Sequence, residues 1–527
     1  MRLSLEQIKS GAFAGKGYLT PAFDVEAVRR KTSANPKWIH FGAGNILRAF
    51  PAALCQRLLD EGLTDTGIIV VECYDEEIID AAFKPYDNLT VAVSLKKDAS
   101  VDKQIIASIT EAMGYSQNAS RVAEIMTSPG LQMATMTITE KGYAVMDADK
   151  TPLKYCAGDF LSAEAPVSII GKITKLLLDR YISCKAPLAM VSLDNCSHNG
   201  TILRDSVMAI AQSWQSLSVA DAGFVDYLSN DISFTWSMID KITPRPSMDV
   251  VKLLQDDGLE GVEINVTAKN TYVSAMVNAE ECQYLAIEDD FPNGRPPLER
   301  AGVIFSDRES IDRIERMKVC TCLNPLHTCL AIFGCLLGYK RISDEMKDPA
   351  LVALIKRIGY DEGLPVVTDP GIMSAKGFLD EVIRTRFPNP FVPDTPQRIA
   401  CDTSKKLPVR FGETLKAYIS RGEKDLGFLK YIPAVFAGYA RYLTGTGDDG
   451  LHFEPSPDPN LDRLRGIVSD FALGEPFDAS KLRPLFEDAE IFGVDLYKYG
   501  LGERAEALFS QMNGIGLIRA TLDGLTK

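Results

Sequence analysis

Short apolar runs alternate with amphipathic stretches through the first half of the chain. Runs at 38–41, 67–72, 89–93, 104–110, 132–137 and 188–193 have the length and hydrophobicity of buried strands. Apolar residues spaced three or four apart predict helices at 45–61, 122–126 and 201–214. Alternation of strand and helix predicts an α/β fold with a parallel sheet.

The second half keeps helical spacing. The run at 330–337 is strongly apolar, as expected of a core helix, and 444–459 is rich in Gly, Asp and Pro, as expected of a surface loop. The remaining residues to Lys527 have ordinary amphipathic spacing. Because 527 residues exceed one ordinary core, two large domains are expected.

Composition and charge narrow the possible partners. The chain is 46% hydrophobic and 24% charged, which is typical of a globular protein. A net charge of -14 argues against nucleic acid or an anionic membrane as the main partner. No apolar run reaches 18 residues and the N-terminus has no signal-peptide core, so we expect a cytoplasmic protein whose eleven cysteines are reduced. The cysteines and histidines lack the spacing of a zinc site, so we expect no metal.

A strand, a glycine turn and a helix follow one another at 37–48, the context of a dinucleotide-binding fingerprint. Gly42 permits the turn, and Gly44 lets a pyrophosphate approach the backbone at the helix N-terminus. Leu47 stands where a third glycine is usual. The alternative is a strand–helix turn that binds no ligand.

The next strand ends in an acid, Glu72, about 28 residues beyond Gly44. A carboxylate there accepts hydrogen bonds from the adenosine ribose hydroxyls and repels a 2′-phosphate, so it favours NAD over NADP. The alternative is an ordinary acid at a strand end.

Polar residues also follow two later strands, at 137–143 and 191–200. Ligands of open α/β sheets bind at such carboxyl ends, and Asn195 could direct its amide at a reacting oxygen. Equally, Asp194 and Asn199 could only cap a turn and the next helix.

The segment 315–327 places Lys318, Asn324 and His327 within about three helical turns. A desolvated lysine can act as a base near neutral pH, an amide can hold an oxyanion, and a histidine can orient a hydroxyl. The alternative is a solvated helix face with a cap.

Several motifs share one order along residues 38–411. They are GAGN at 42–45 with Arg48, TEKGY at 139–143, LDN at 193–195, MIDKITP at 238–244, AIEDDFPNGRP at 286–296, the segment 315–327, and RFPNP at 386–390. Together they resemble the polyol-specific long-chain dehydrogenases, the mannitol dehydrogenase family, which includes sugar-acid reductases. The resemblance implies a Rossmann-type NAD-binding domain over 1–305, a mostly α-helical C-terminal domain over 306–527, and a substrate cleft between them.

The resemblance also implies residue roles. Lys318 would be the acid/base, Asn195 and Asn324 would hold the oxyanion, and His327 would contact substrate. Glu315 would lie near the proton path. The positions implied to contact the cofactor are Gly42, Gly44, Asn45, Ile46, Glu72 and Glu140, and Asp240 and Arg386 would line the substrate cleft.

The spacing departs from the family at one place. Asn324 is six residues after Lys318, where the family has five. On an ideal helix, Lys318 and His327 would be about 180° apart, against about 80° at the family spacing. Pro325 disfavours a regular helix here, so we predict either a one-residue bulge near 321–323 or a break with Asn324 as the new cap.

The expected reaction is metal-free, NAD-dependent interconversion of a hexuronate and an aldonate, D-fructuronate and D-mannonate. The alternative is a sugar-alcohol dehydrogenase of the mannitol 2-dehydrogenase type, and a third hypothesis is a non-catalytic relative that binds nucleotide or sugar. The expected partner is a small sugar acid or polyol, and the protein is expected to be a monomer or small homo-oligomer.

Arg410, beside the 394–406 loop, suits a carboxylate or polyhydroxy substrate, or only anchors that loop.

Overall fold

The computed structural model describes all 527 residues, which form two compact units. The first comprises Met1–Lys96 and Ser100–Asp312, and the second comprises Lys97–Ala99 and Arg313–Lys527. All strands lie in the first unit, and the second is built from helices. The α/β Rossmann-type fold followed by helical structure is as the sequence predicts.

The first unit contains fifteen strands. They are β1 Tyr18–Leu19, β2 Trp38–Phe41, β3 Ile68–Glu72, β4 Thr90–Leu95, β5 Val101–Ile106, β6 Ile109–Gly114, β7 Met133–Met136, β8 Leu188–Ser192, β9 Ile232–Thr235, β10 Ser237–Asp240, β11 Asn265–Val266, β12 Tyr272–Val273, β13 Met276–Glu280, β14 Tyr284–Glu288 and β15 Ile304–Ser306. Its helices are α1 Leu5–Lys9, α2 Val25–Ala34, α3 Asn45–Ala49, α4 Pro51–Asp60, α5 Glu77–Ala82, α6 Tyr115–Met126, α7 Glu140–Tyr143, α8 Ile169–Ser183, α9 Asn199–Ser216, α10 Ala222–Asn230 and α11 Met248–Asp256.

Helix α12, Arg308–Met317, leads into the second unit. The helices that follow are α13 Asn324–Leu336, α14 Ile342–Glu345, α15 Pro349–Lys356, α16 Ala375–Glu381, α17 Pro396–Ile399, α18 Thr403–Leu407, α19 Glu413–Ser420, α20 Ile432–Leu443, α21 Leu461–Ile467, α22 Arg483–Phe486, α23 Ala489–Phe492, α24 Gly502–Gln511 and α25 Leu517–Thr526. Four π-helical turns interrupt them, Lys318–Cys322, Arg357–Gly363, Val382–Arg386 and Pro408–Gly412. We call these the Lys318, Gly363, Arg386 and Arg410 turns.

The central sheet of the first unit has six parallel strands in the order β6-β3-β2-β7-β8-β9. Counted from β2 within this sheet, the order is 3-2-1-4-5-6, which is that of a Rossmann fold. Smaller sheets, β1-β5-β4-β13, β10-β14-β15 and β11-β12, are added beside it. The order reverses at β2, so the carboxyl end of β2 marks where such folds bind ligands.

Both faces of the sheet are covered, which explains the continuous apolar runs. On β3, Ile69 and Val71 belong to one hydrophobic cluster, while Ile68 and Val70 belong to another. Side chains alternate between the faces of a strand, so two buried faces require apolar residues at every position.

Two predicted elements are each divided into two in the structure. The strand predicted at 104–110 is two strands, because β5 ends at Ile106 and β6 begins at Ile109 in a different sheet. The intervening Ser108 donates its hydroxyl to the carbonyl of Ala52 and accepts the amide of Ile68. The chain passes from one sheet to the other within a continuous apolar run, so the sequence pattern does not indicate the change.

The helix predicted at 45–61 is likewise divided, into α3 and α4. Phe50 between them has φ -131° and ψ -74°. Pro51 causes the break, since proline disfavours a helical conformation in the residue before it and suits the first position of a new helix. The helix after the glycine turn is therefore only five residues long.

The helical run Arg308–Leu336, which includes the Lys318 turn, is long and apolar enough to cross a membrane by length and composition alone. Its apolar window is 78% buried inside the protein. Every residue from Thr328 to Leu336 in α13 is buried. The run is therefore packed as a core helix of the second unit.

His40 joins two strands through its side chain. Its Nδ1 lies 2.6 Å from the Thr135 hydroxyl and its Nε2 lies 3.0 Å from the Thr137 hydroxyl. The ring is fully buried, and burial lowers the pKa of His40 to about 3. His40 is thus neutral when folded, but an unfolded chain protonates it near pH 6.5.

Stability should therefore fall as pH decreases from about 6.5, because only the unfolded state then binds a proton at His40. Between pH 7 and pH 5 this costs about 2 kcal/mol. We expect His40→Gln to reduce the pH dependence of the free energy of unfolding by that amount, measured by urea unfolding at both pH values. His452→Gln, at a side chain 66% exposed, should leave it unchanged. Equal pH dependence in His40→Gln and the unsubstituted protein would contradict the assignment.

Candidate functional site

The turn after β2 leaves space at one glycine and none at the other. Gly42 has φ +108°, and a Cβ there would lie 2.3 Å from the carbonyl oxygen of Thr137. No side chain fits, and the backbone of an L-residue would be strained. At Gly44 a Cβ would have no neighbour within 4 Å, so the backbone faces open space. This matches a turn that a phosphate can approach, while Leu47 packs in the core at the position of the third glycine.

Glu72 closes this turn from the end of β3. One carboxylate oxygen accepts the amide of Ala43 at 2.7 Å, and the other accepts the amides of Tyr74 and Asp75 at 2.8 and 3.1 Å. The side chain is buried. Two carboxylate oxygens offer about four acceptor sites, so one remains for a ligand hydroxyl.

Arg48 holds the first turn of α3. The guanidinium is fully buried and donates to the Asn45 side-chain oxygen at 2.8 Å and to the Ser274 carbonyl at 2.7 Å. Burial lowers the pKa of Arg48 to about 9. Asn45 is thereby oriented at the turn, and the neighbouring Ile46 is only partly buried.

Asp194, after β8, holds the segment that follows β7. Its carboxylate accepts the amides of Ile138 and Thr139 and the hydroxyl of Tyr143, at 2.8, 3.0 and 2.6 Å. Burial raises the pKa of Asp194, although these donors oppose the shift. Thr139 has φ +65° and ψ 157°, a conformation nearly restricted to glycine, and these bonds hold it there. Glu140, the next residue, is exposed at the start of α7.

Asn199 and Asn195 differ sharply in environment. Asn199 is buried and its amide bridges β8 and β10, donating to the carbonyls of Ser192 and Ser237 and accepting the amide of Ser237. Asn199 is therefore a structural residue, but it does not cap α9, whose N-cap is His198. Asn195 lies three residues beyond β8 and is exposed. Asp240 is buried at the end of β10.

The second unit carries the lysine on a widened turn. The amide of Leu323 donates to the carbonyl of Lys318 at 3.1 Å, five residues back instead of four. This is the one-residue bulge that the spacing predicts. With one residue absorbed, Lys318 and His327 are about 80° apart around the helix instead of about 180°. The side chain of Lys318 is buried, and Glu315 lies one turn before it, partly buried.

Asn324 begins α13 but does not cap it. Leu323 is the N-cap, and Pro325 occupies the first turn. Asn324 makes no side-chain hydrogen bond within the protein and is partly exposed, whereas its carbonyl accepts the hydroxyl of Thr328. The structure therefore combines the two predicted geometries, with a bulge over Lys318–Cys322 and a helix break at Leu323, and only the prediction of Asn324 as the cap is wrong. Its amide remains available for a ligand.

His327 is held neutral. Burial, and to a lesser extent the positive charges of Arg410, Arg398, Arg386 and Lys406, lower the pKa of His327 to about 3. Its Nε2 lies 3.3 Å from a carboxylate oxygen of Asp394, but at an angle too poor for a hydrogen bond. The ring packs on Phe387 with 5.2 Å between centroids. A neutral ring with an unpaired nitrogen can exchange a hydrogen bond with a substrate hydroxyl.

The cations near His327 come from three segments. Arg386 is buried on the Arg386 turn, Arg398 pairs with Asp394, and Lys406 and Arg410 follow. Burial and the charge of Arg410 lower the pKa of Lys406, and burial lowers the pKa of Arg410 to about 10. Sequence reasoning singled out Arg386 and Arg410 but missed Lys406, because no local pattern distinguishes it from its neighbour Lys405 and only folding brings it near His327.

Lys406 and Arg410 have no carboxylate partner. Lys406 donates to the carbonyls of Ile399 and Cys401 at 3.1 and 2.5 Å. Arg410 donates to the Thr328 hydroxyl at 2.5 Å and the Asn324 carbonyl at 3.4 Å. Two uncompensated cations beside Asn324 and His327 favour an anionic ligand.

Two family models of known proteins match this chain, one in its first part and one in its second. The family model for the mannitol dehydrogenase Rossmann domain matches residues 36–300, and that for the mannitol dehydrogenase C-terminal domain matches 310–498. A D-mannonate oxidoreductase of Thermotoga maritima is 49% identical over 99% of this chain and 98% of its own. A mannitol 2-dehydrogenase of Cereibacter sphaeroides is 27% identical over 84% of this chain and 87% of its own.

A solved structure of similar fold is the Pseudomonas fluorescens mannitol 2-dehydrogenase ternary complex with NAD and D-mannitol. It has a TM-score of 0.70 and 24% identity, covering 100% of this chain and 99% of that one. The two family models match most of the chain, and the Thermotoga relative is similar over its whole length. The chain therefore belongs to the mannitol dehydrogenase family of oxidoreductases.

Proposed function

We propose that this protein interconverts D-fructuronate and D-mannonate by NAD-dependent hydride transfer, with Lys318 as acid/base and no metal. The observation that carries the proposal is the pair of cations without carboxylate partners, Lys406 and Arg410, beside Asn324 and His327. The 49% identical relative named D-mannonate oxidoreductase supports the same substrate class. The free thiols of all eleven cysteines fit a reducing compartment, and we place the protein in the cytoplasm.

The first unit fits a nicotinamide dinucleotide. A turn closed at Gly42 and open at Gly44 lies at the carboxyl end of β2, where the strand order reverses. Glu72 retains one acceptor site for a ribose hydroxyl and would repel a 2′-phosphate. These features support NAD over NADP, and the cofactor supplies the hydride.

Lys318 would supply the proton in ketone reduction. As the carbonyl carbon gains the hydride, the π bond opens and the oxygen takes a proton from the Lys318 ammonium. The free amide of Asn324 would steady the developing charge, together with Asn195. In alcohol oxidation the neutral lysine takes the hydroxyl proton back.

D-fructuronate carries its ketone and its carboxylate at different carbons, so two parts of the site would hold them. Lys318 would meet the ketone, while Arg410 and Lys406, the cations near His327 without carboxylate partners, would meet the carboxylate.

A sugar-alcohol dehydrogenase of the mannitol 2-dehydrogenase type is the alternative. The 27% identical relative with that name favours it. A polyol has no carboxylate, so it would leave Lys406 and Arg410 uncompensated, and buried or partly buried charges without partners are costly. This difference makes the two functions separable.

Turnover with NADH should be higher for D-fructuronate than for D-tagaturonate or D-fructose. Loss of one partner of a desolvated charge pair costs about 2–5 kcal/mol, so Arg410→Met should lower kcat/KM for D-fructuronate about 100-fold. For D-fructose the same variant should change kcat/KM less than about 3-fold, since no charge pair is lost. Lys405→Met, at an exposed neighbouring lysine, is the control. Equal turnover of fructose, or equal losses on both substrates, would remove the sugar-acid assignment.

Lys318→Ala should lower kcat at least about 1000-fold without weakening NADH binding, because general acid catalysis at one proton is lost. Steady-state kinetics and NADH fluorescence titration measure the two effects. Lys356→Ala, at an exposed lysine of α15, should retain full activity. If Lys318→Ala turned over at the unsubstituted rate, Lys318 would not be the acid/base. If the unsubstituted protein transferred no hydride to any of the sugars, the non-catalytic alternative would stand.

Glu72→Ala should raise the ratio of kcat/KM for NADPH to that for NADH about tenfold or more, since it removes repulsion of the 2′-phosphate. It should also destabilise the protein by about 1–3 kcal/mol, because three buried amides lose their acceptor. Glu77→Ala, at an exposed carboxylate that accepts the amide of Ala268, should keep the cofactor ratio. If the NADPH-to-NADH ratio of kcat/KM were unchanged in Glu72→Ala, Glu72 would only close the glycine turn and would not discriminate between the cofactors.

A further inference from the structure

Three of the residues assigned to the second unit's chemistry lie on widened turns. Lys318, Arg386 and Arg410 each belong to one of the four π-helical turns. Such turns are rare and occur frequently at functional sites. A turn that is wider than the α-helical minimum needs outside support to persist, so the contacts that hold the Lys318 turn are informative.

The Gly363 turn packs closely against one side of the Lys318 turn. A Cβ at Gly363 would lie 2.9 Å from the Thr321 methyl and 3.2 Å from the carbonyl of Ile358. Real side chains almost never approach so closely, so only glycine lets Thr321 sit there. The Lys318 turn also packs against the Arg410 turn on another side.

A hydroxyl from the segment after the Arg410 turn reaches the backbone of the Lys318 turn. Thr414, buried in the first turn of α19, donates its hydroxyl to the carbonyl of Cys320 at 3.0 Å. The residue five positions after Cys320 is Pro325, whose nitrogen has no hydrogen and cannot make the π-type bond to this carbonyl. Thr414 adds a hydrogen bond to the same carbonyl from outside the turn.

We propose that Thr414 is a positioning residue for Lys318, which keeps the Lys318 turn wide through its hydrogen bond to Cys320 and so sets the direction of the lysine. The inference rests on the proposed role of Lys318 as acid/base. Gly363 provides the matching space on the other side of the turn. Relaxation to an α-helical turn would rotate Lys318 by about 100° relative to His327. A displacement of about 1 Å at a reacting group can cost 100-fold in rate.

Thr414→Val tests the inference, because it removes the hydroxyl and nearly preserves the volume. We expect kcat for reduction of D-fructuronate by NADH to fall about 10- to 100-fold. The pH at which kcat is half-maximal should shift, while KM for NADH stays within about 2-fold because the first unit is untouched. Thr414→Ser, which keeps the donor, should restore kcat to within about 3-fold of the unsubstituted enzyme.

Thr521→Val is the matched control. Thr521 is also buried and donates its hydroxyl to a helix carbonyl, that of Leu517, at 2.7 Å. Both valine variants should lower the unfolding temperature similarly, but only Thr414→Val should move the pH profile of kcat. The inference is overturned if the two variants share the same kcat and pH profile.

Lys318→Ala in the same assay separates the inference from the proposed function. If Lys318→Ala keeps its rate, the role of Lys318 fails, and the role of Thr414 with it. If Lys318→Ala loses its rate and Thr414→Val does not, only the positioning role fails. Should Thr414→Val not fold, Gly363→Ala replaces it, since the added methyl presses on Thr321. A folded Gly363→Ala with unchanged kcat and pH profile would overturn the inference.

Discussion

The hydrogen bond from the Leu323 amide to the Lys318 carbonyl spans five residues, and the arrangement of the second unit's site depends on it. Two buried helix faces flank this bond. Before it, Ile314 and Met317 are fully buried, and after it nearly all of α13 is buried. Each face fixes the rotation of its own helix. A separation of six positions from Lys318 to Asn324 does not fit both faces on a regular helix, so one residue is accommodated in a wider turn.

In the first unit, polar side chains at strand ends hold the backbone that a ligand would approach. Glu72 closes the glycine turn, Asp194 holds the strained Thr139, and Asn199 joins β8 to β10. A buried carboxylate or amide with several backbone donors is both satisfied and rigid. The space at Gly44 and the exposed residues Asn195 and Glu140 lie in the same segments as these buried polar side chains. Buried carboxylates and an amide therefore hold in place the loops that carry the exposed candidate ligand-binding residues.

Local charge in the second unit opposes the net charge of the chain. The protein carries -14 overall, yet the positive charges of four residues, Arg386, Arg398, Lys406 and Arg410, act on His327. At physiological ionic strength, charges beyond about 8 Å are largely screened, so the local cluster decides which ligand is favoured. Burial, together with the same cluster, keeps His327 neutral by lowering its pKa. The cations would thus favour an anionic ligand, while the neutral ring of His327 would exchange a hydrogen bond with it.

The sequence by itself determined the fold class and much of the candidate site. A strand that is buried on both faces needs apolar residues at every position, so the apolar runs predicted the parallel sheet. The two glycines at 42 and 44 predicted the turn after β2. The bulge after Lys318 was also predictable, because an extra residue and a proline conflict with helix geometry locally.

Only the tertiary structure decided how that conflict is resolved and which polar residues are structural. Thr414 reaches Cys320 across 94 residues, and Lys406 joins His327 across a similar stretch of chain. The division of the strand predicted at 104–110 likewise follows from pairing with different sheets. Local periodicity carries no information about such long-range contacts, since any polar residue at a strand or helix end fits the pattern equally well. Burial and partner geometry, which exist only in the folded chain, separate the structural side chains from those left open to a ligand.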